Sequence, residues 1–369
     1  MTIYWALPIF AVVFYWLCKM TAKNGHKHMQ IQIQNSDIKA YFIIMSLFMI
    51  IIIGLRSENV GTDSSNYYNM YKNMSREDFS YILEPDVDDR GYFLLTILTN
   101  KLGLNFYAFN VIYAVFNVGV ISYLIYEYSD MPWLSYLLYI FFDFFILELT
   151  MVRQTLAMSI VILAFLKDKN ETLWDVVKFT LIVLIAASIH ASAIICICLW
   201  FVKKVPYNSK LIVIICVAIV LAFVLKSQLG QLVAYVAHEV SDKYVNYTAE
   251  AGNMGVRLYL MILASVILGI FLRQFLKEKK NIFMFYCMCI MLIVFPAVQS
   301  GGAIMRVYYY FYIFMITYVP NMIEGLDKRK DKIIYLLIIA LYLIVGGYNY
   351  GSYLKYDALE VLPYEFFWE

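Results

Sequence analysis

The chain is 369 residues long, 63% hydrophobic and only 15% charged, with a formal net charge of +2 and a mean hydropathy of +0.70. A soluble domain is about half apolar and a quarter charged, so soluble, fibrous and disordered readings are excluded. The small charge leaves no basic field for nucleic acid. The apolar content fills about twelve helices of roughly 20 residues each, which predicts an all-α polytopic membrane protein forming one bundle over residues 1–369.

In chain order, apolar runs fall at about 3–18, 39–55, 105–126, 133–147, 153–166, 173–189, 191–202, 211–225, 257–275, 282–296, 306–322 and 333–347. Several are short, and the one after His190 reads as a re-entrant hairpin. No cleavable signal follows the first run, because Lys19, Lys23 and Lys27 come next. Those lysines hold the first loop in the cytoplasm, which puts the N-terminus outside. Alternation then places Lys167, Lys169, Lys203, Lys204, Lys210, Lys277, Lys279, Lys280 and Lys328–Lys332 inside. An even number of spans returns the C-terminus to the outer side. Two long outer loops are expected, 57–104 and 226–256, with an outer tail of about 22 residues. Gly91–Gly103 is too short to span and is expected to lie in the interface as an amphipathic helix. Cys18, Cys196, Cys198, Cys216, Cys287 and Cys289 fall inside or beside apolar runs and read as packing residues, not as a disulfide frame or zinc site.

Arginine is distributed differently from lysine. Only Arg273 and Arg329 fall on inner segments, whereas Arg56, Arg76, Arg90, Arg153, Arg257 and Arg306 fall on outer ones. Guanidinium groups are preferred bidentate partners of phosphate and carboxylate; the plainer reading pairs them with the outer acids. Depth sharpens the choice. From Arg153 to Lys167 is about 21 Å of helix, and from His190 to Lys203 about 20 Å. From Arg56 back to Lys39 is about 26 Å, and from Arg306 to Glu324 about 27 Å. The hydrocarbon core is about 30 Å thick, so with level inner ends Arg153 and His190 lie below the outer boundary, with Arg56 and Arg306 slightly above them. A charge at such depth costs about 2.5–3.5 kcal/mol and normally faces a cavity. The set predicts an outward-facing polar pocket for an anion carried on a lipid.

Other residues leave alternatives open. Gly61-Thr62-Asp63 reads as a tight turn in which Asp63 either caps a helix or accepts a proton. Glu148 is either a base or the salt-bridge partner of Arg153. His190, at the mouth of a sunken hairpin, is a candidate general base. Asp86, Asp88 and Asp89 resemble the acidic pair of metal-dependent sugar transferases, although acids in a polar loop are commonly just solvated. Asp143, amid Phe141–Phe145, is expected at mid-membrane facing the bundle. Tyr308–Tyr312 reads as part of an interfacial belt or as a platform for sugar rings. No Walker A or Gly-rich dinucleotide loop occurs, and no cofactor is called for.

Several of these residues fall in an order that resembles the EpsG family of Wzy-type polysaccharide polymerases: Arg56 with Gly61-Thr62-Asp63 and Tyr67, Arg153-Gln154 with Leu156-Ala157, His190 with Ser192-Ala193, and Arg306 with Tyr310. An acidic-x-Gly-aromatic element that usually begins with Glu is here Asp89-Arg90-Gly91-Tyr92, a departure that argues against a catalytic role for Asp89. The resemblance runs from residue 50 to about 315. It implies a bundle of the GT-C kind and a membrane glycosyltransferase that polymerises undecaprenyl-diphosphate-linked repeats into O-antigen, capsule or exopolysaccharide. The work would be done on the outer leaflet of the bacterial cytoplasmic membrane, without metal, alongside a flippase and a chain-length regulator. In that reading Arg56, Arg153, Arg306, Arg257 and Tyr310 hold the diphosphate, and His190, Asp63 or Glu148 takes the acceptor proton. The rivals are a flippase or transporter of the same lipid-linked glycan, a metal-dependent transferase of polyprenyl-phosphate sugars using Asp86, Asp88 and Asp89, and a ligase of similar chemistry.

Overall fold

A computed structural model describes residues 2–23, 27–167, 172–229, 256–272, 275–298, 302–326 and 330–369, with Gln231 and Tyr235 besides. Most of the expected outer loop 226–256, and with it Lys169, Arg273 and Arg329, lies outside the described residues.

The helices follow the apolar runs. In chain order they are α1 (Thr2–Lys23), α2 (Lys27–Gly54), α3 (Ser64–Met74), α4 (Arg90–Lys101), α5 (Phe106–Tyr128), α6 (Pro132–Phe141), α7 (Phe144–Thr150), α8 (Val152–Lys167) and α9 (Leu173–Ile189). A 3₁₀ turn (Ala191–Cys196) leads into α10 (Ile197–Val202), followed by α11 (Ser209–Val224), α12 (Val256–Phe271), α13 (Lys279–Val298), α14 (Gly302–Tyr312), α15 (Met315–Glu324) and α16 (Lys332–Tyr356). Local chemistry sets several starts. The Asn105 side chain accepts the Ala108 N–H at 2.9 Å to cap α5, Pro132 opens α6, and Thr172 with Asp175 forms a capping box on α9.

Among the described residues, four helical stretches are long and apolar enough to cross a membrane: Thr2–Met20, Phe106–Tyr128, Lys279–Pro296 and Lys332–Tyr356. A fifth is added when α6 and α7, bent by 51° at their break, count as one span. Ile38–Gly54, Ala191–Val202, Ser209–Val224 and Val256–Phe271 are shorter apolar helices. On α11 only Ile212 and Ala222 are buried, leaving Val213, Ile214, Val217 and Val220 open. A helix apolar on its outward side is covered by lipid, not water. The chain is a polytopic membrane protein.

Three expectations need correction. The run 133–147 breaks at Asp143, whose φ of +73° is left-handed, and the run 306–322 breaks between Tyr312 and Met315; these breaks shorten the helices below a full span. The tail is shorter than expected, because α16 continues to Tyr356. Tyr308–Tyr312 is neither a belt nor a sugar platform, since all five side chains are buried, with Phe144 and Phe295 among their ring contacts. Buried tyrosine is a general device here. Tyr4 donates to the Val361 carbonyl at 2.9 Å, Tyr136 to Ser122 Oγ at 2.8 Å, Tyr318 to the Ser265 carbonyl at 3.0 Å and Tyr350 to the Tyr4 carbonyl at 3.0 Å. Each ring fills core volume while its hydroxyl satisfies a polar group that lipid cannot. Asp143 faces the bundle as expected, accepting from Asn349 Nδ2 at 3.1 and 3.2 Å.

Among the described residues there is no β-strand, only one isolated antiparallel bridge, Arg56 to Phe366. It belongs to a backbone strap. Residues 357–369 fold back over the turn after α2, with hydrogen bonds from Ser57 N to Glu365 O (2.9 Å), Gly61 N to Glu360 O (2.8 Å), Thr62 N to Leu359 O (2.9 Å) and Phe367 N to Leu55 O (3.0 Å).

Candidate active site

Arg153 is the second residue of α8, and its guanidinium is held from three sides. Nη1 lies 2.5 Å from Asp89 Oδ2, and Nε donates to Tyr67 Oη at 3.4 Å. The cation sits 5.6 Å from the Tyr67 ring centroid and 6.0 Å from that of Tyr92. Aromatic faces attract guanidinium and fix its plane. The Arg153 side chain remains 24% exposed against 10% for Asp89, so the arginine is the open member of the pair. Burial raises the Tyr67 phenol above its ordinary pKa although the neighbouring guanidinium pulls the other way, so Tyr67 stays a neutral hydrogen-bond partner.

The expected pairing of Arg153 with Glu148 is not what forms. Glu148 lies on α7, which ends at Thr150 before α8 begins at Val152, and its carboxylate turns into the bundle. There it accepts from Tyr113 Oη at 2.8 Å, Asn117 Nδ2 at 2.9 Å and Tyr139 Oη at 2.9 Å and is buried. Arg56 is within electrostatic reach of Glu148. It is 1% exposed, donates from Nη1 to the Ile53 carbonyl and lies under the 357–369 strap. Its Nε and Nη2 have no hydrogen-bond partner among the described residues. An interior cation of this kind depends on negative charge nearby, and Glu148 supplies it electrostatically. Glu148→Gln is therefore expected to lower thermal stability and membrane yield more than it lowers turnover per folded molecule, read by thermal unfolding alongside a yield-normalised elongation assay.

Tyr92 connects the two arginines. Its buried hydroxyl has no partner among the described residues and feels both Arg56 and Arg153. Its neighbour Gly91 is required by packing, since a Cβ there would meet Ser188 Oγ at 2.2 Å and the Ser188 carbonyl carbon at 3.0 Å. This close approach seats the Asp89 end of α4 beside the C-terminus of α9, where His190 lies. Gly91→Ala is expected to cost about 1–3 kcal/mol of stability and to shorten the polymer by displacing Asp89, measured by thermal unfolding and gel analysis of glycan length.

His190 ends α9 in extended backbone (φ −151°, ψ 112°) and is buried; its carbonyl accepts the Ala193 N–H at 3.0 Å to start the 3₁₀ turn. Ser192 Oγ donates to Tyr310 Oη on α14 at 3.4 Å. Gln154, beside Arg153, donates to the Arg306 carbonyl at 2.9 Å, and Arg306 is half-buried. The 3₁₀ turn packs against α8, α9 and α14, and α4 against α9. Asp89, Arg153 and His190 thus lie at adjoining helix ends, next to the helix that carries Arg306 and Tyr310.

Other expected site residues fall elsewhere or differently. Asp63 precedes α3 but accepts no capping bond; it is exposed, within electrostatic reach of Tyr67. Arg257 stacks 4.7 Å over Tyr348 of α16, on a helix that packs against α13 and α15, with no contact in the described set to the Arg153 cluster. Asp86 and Asp88 are exposed, and among the described residues no three His, Cys, Asp or Glu side chains gather as metal ligands would. Asp89 is the residue that sequence reasoning undervalued. Its signal was the acidic-x-Gly-aromatic element, whose Asp89 has left-handed backbone at φ +51°.

Residues 39–366 match the EpsG family, a family of Wzy-like polysaccharide polymerases. No curated protein matches the chain, and no solved structure does.

Proposed function

We propose, because this chain belongs to the EpsG family, that it joins undecaprenyl-diphosphate-linked oligosaccharide repeats by inverting glycosyl transfer on the outer leaflet of the bacterial cytoplasmic membrane. The observation that carries this reading is the pre-set Arg153 guanidinium, fixed by Asp89 and Tyr67 yet partly open, beside the elements that bring His190 and Arg306. Arg153 and Arg306 receive the diphosphate of the growing chain. As the bond from the anomeric carbon to the diphosphate oxygen breaks, negative charge builds on the leaving diphosphate. A cation already oriented by its neighbours stabilises that charge without reorganising. The acceptor is a sugar hydroxyl on the incoming lipid-linked repeat. It attacks the anomeric carbon from the opposite face, and His190 takes its proton. The new glycosidic bond inverts the configuration, and the lipid diphosphate departs.

Glu148 and Arg56, both buried and within electrostatic reach of each other, stiffen the bundle next to this site, and Asp63 stays exposed as the alternative base. Because arginines supply the neutralising charge, elongation by the purified protein is expected to survive EDTA. The test is reconstitution with purified lipid-linked repeats. A polymerase yields a ladder of longer glycans; glycan that crosses the bilayer without lengthening would overturn the reading in favour of a flippase.

A further inference from the structure

A charged cavity lies at the other end of α8 from Arg153, where Phe165 is about 18 Å along the helix from that arginine. It has a volume of about 650 Å³ and gathers Lys203, Lys204, Lys277, Lys279 and Lys280 from two distant stretches of chain. Among the described residues, Asp130 and Glu278 face them. Lys280 Nζ is 2.9 Å from Asp130 and 3.6 Å from Glu278. Lys203 donates to the Phe165 carbonyl at 3.1 Å, Lys204 stands 3.6 Å over the Trp200 ring, and Lys277 and Lys279 make no ion pair among the described residues. Among the described residues, positive charge therefore exceeds negative around this half-open cavity, at whose mouth Lys204, Lys277 and Lys279 are exposed. The remaining wall is apolar: Phe165 and Phe283 stack at 4.3 Å between centroids, with Ile282 beside them.

A cationic mouth on an aromatic wall suits a phosphate that carries a hydrocarbon chain. Lysines act as mobile point charges toward phosphate, and basic pockets at helix ends collect lipid headgroups. We propose that this cavity binds the phosphate headgroup of an anionic phospholipid in the leaflet opposite the Arg153 site. The site is separate from glycan polymerisation and does not depend on that assignment.

The test uses the full chain in nanodiscs and in detergent, probed with phosphatidylglycerol, phosphatidylcholine and inorganic phosphate. Phosphatidylglycerol is expected to be retained in native mass spectrometry and to raise the unfolding temperature, with phosphatidylcholine giving neither effect. K204Q/K277Q/K279Q should weaken binding about a hundredfold, and K204R/K277R/K279R should restore it. Added salt should weaken binding to the unaltered protein, a readout that needs no variant. Equal binding by the glutamine variant, equal binding of phosphatidylcholine or indifference to salt would overturn the proposal. A full thermal shift from inorganic phosphate alone would replace the lipid with a soluble anion and overturn it as well.

Discussion

Arg153→Lys is expected to cut glycan elongation by about a hundredfold or more while membrane insertion and yield stay near wild type. Lysine retains the charge and reaches Asp89, yet its ammonium cannot also donate to Tyr67 and lie flat between the Tyr67 and Tyr92 rings as the guanidinium does. The planar fork is what matches a diphosphate. Asp89→Asn should lower turnover less, because a neutral amide still accepts one hydrogen bond, and its defect should be small in an Arg153→Lys background, since both act on one contact. The measurement is polymer chain length in cells together with accumulation of single lipid-linked repeats. Normal chain length in Arg153→Lys would remove the guanidinium from the mechanism.

His190→Gln is expected to slow elongation by about 10²- to 10⁴-fold with little change in binding of the lipid-linked donor. The three candidate bases differ in surroundings. Glu148 is enclosed by three donors, and Asp63 is exposed at the rim. His190 is buried where α9 turns into the 3₁₀ segment, next to the contact with Tyr310. Asp63→Asn should therefore stay within about threefold of wild type, far above the loss of a general base. Single-turnover rates on a reconstituted donor and acceptor separate the cases: an inactive Asp63→Asn beside a fully active His190→Gln would move the base to Asp63.

The all-helical, apolar character of the chain was legible because lipid demands a continuous apolar surface. The breaks at Asp143 and after Tyr312 were not, since the apolar pattern continues through both; a left-handed aspartate leaves no periodic trace. The separate break between α7 and α8 explains why Glu148, the nearest acid to Arg153 in the chain, is not its partner. Asp89 is, from 64 positions away, and only the order of residues around Gly91 pointed there. The cover over Arg56 was also hidden, because the strap is held through backbone hydrogen bonds, which side-chain chemistry does not announce. Arg153 and Arg306 were expected to share a region on depth alone, and the link between them runs through Gln154 to a backbone carbonyl.

The central claim is that Arg153 and Arg306 grip one diphosphate. A binding cycle on reconstituted protein tests it, using a lipid-linked diphosphate oligosaccharide with Arg153→Ala, Arg306→Ala and the double variant. Both single changes should weaken binding, and the double should weaken it by less than the product of the two, as expected for groups on a shared ligand. Independent, fully multiplicative losses, or unchanged affinity in either single variant, would contradict a common grip.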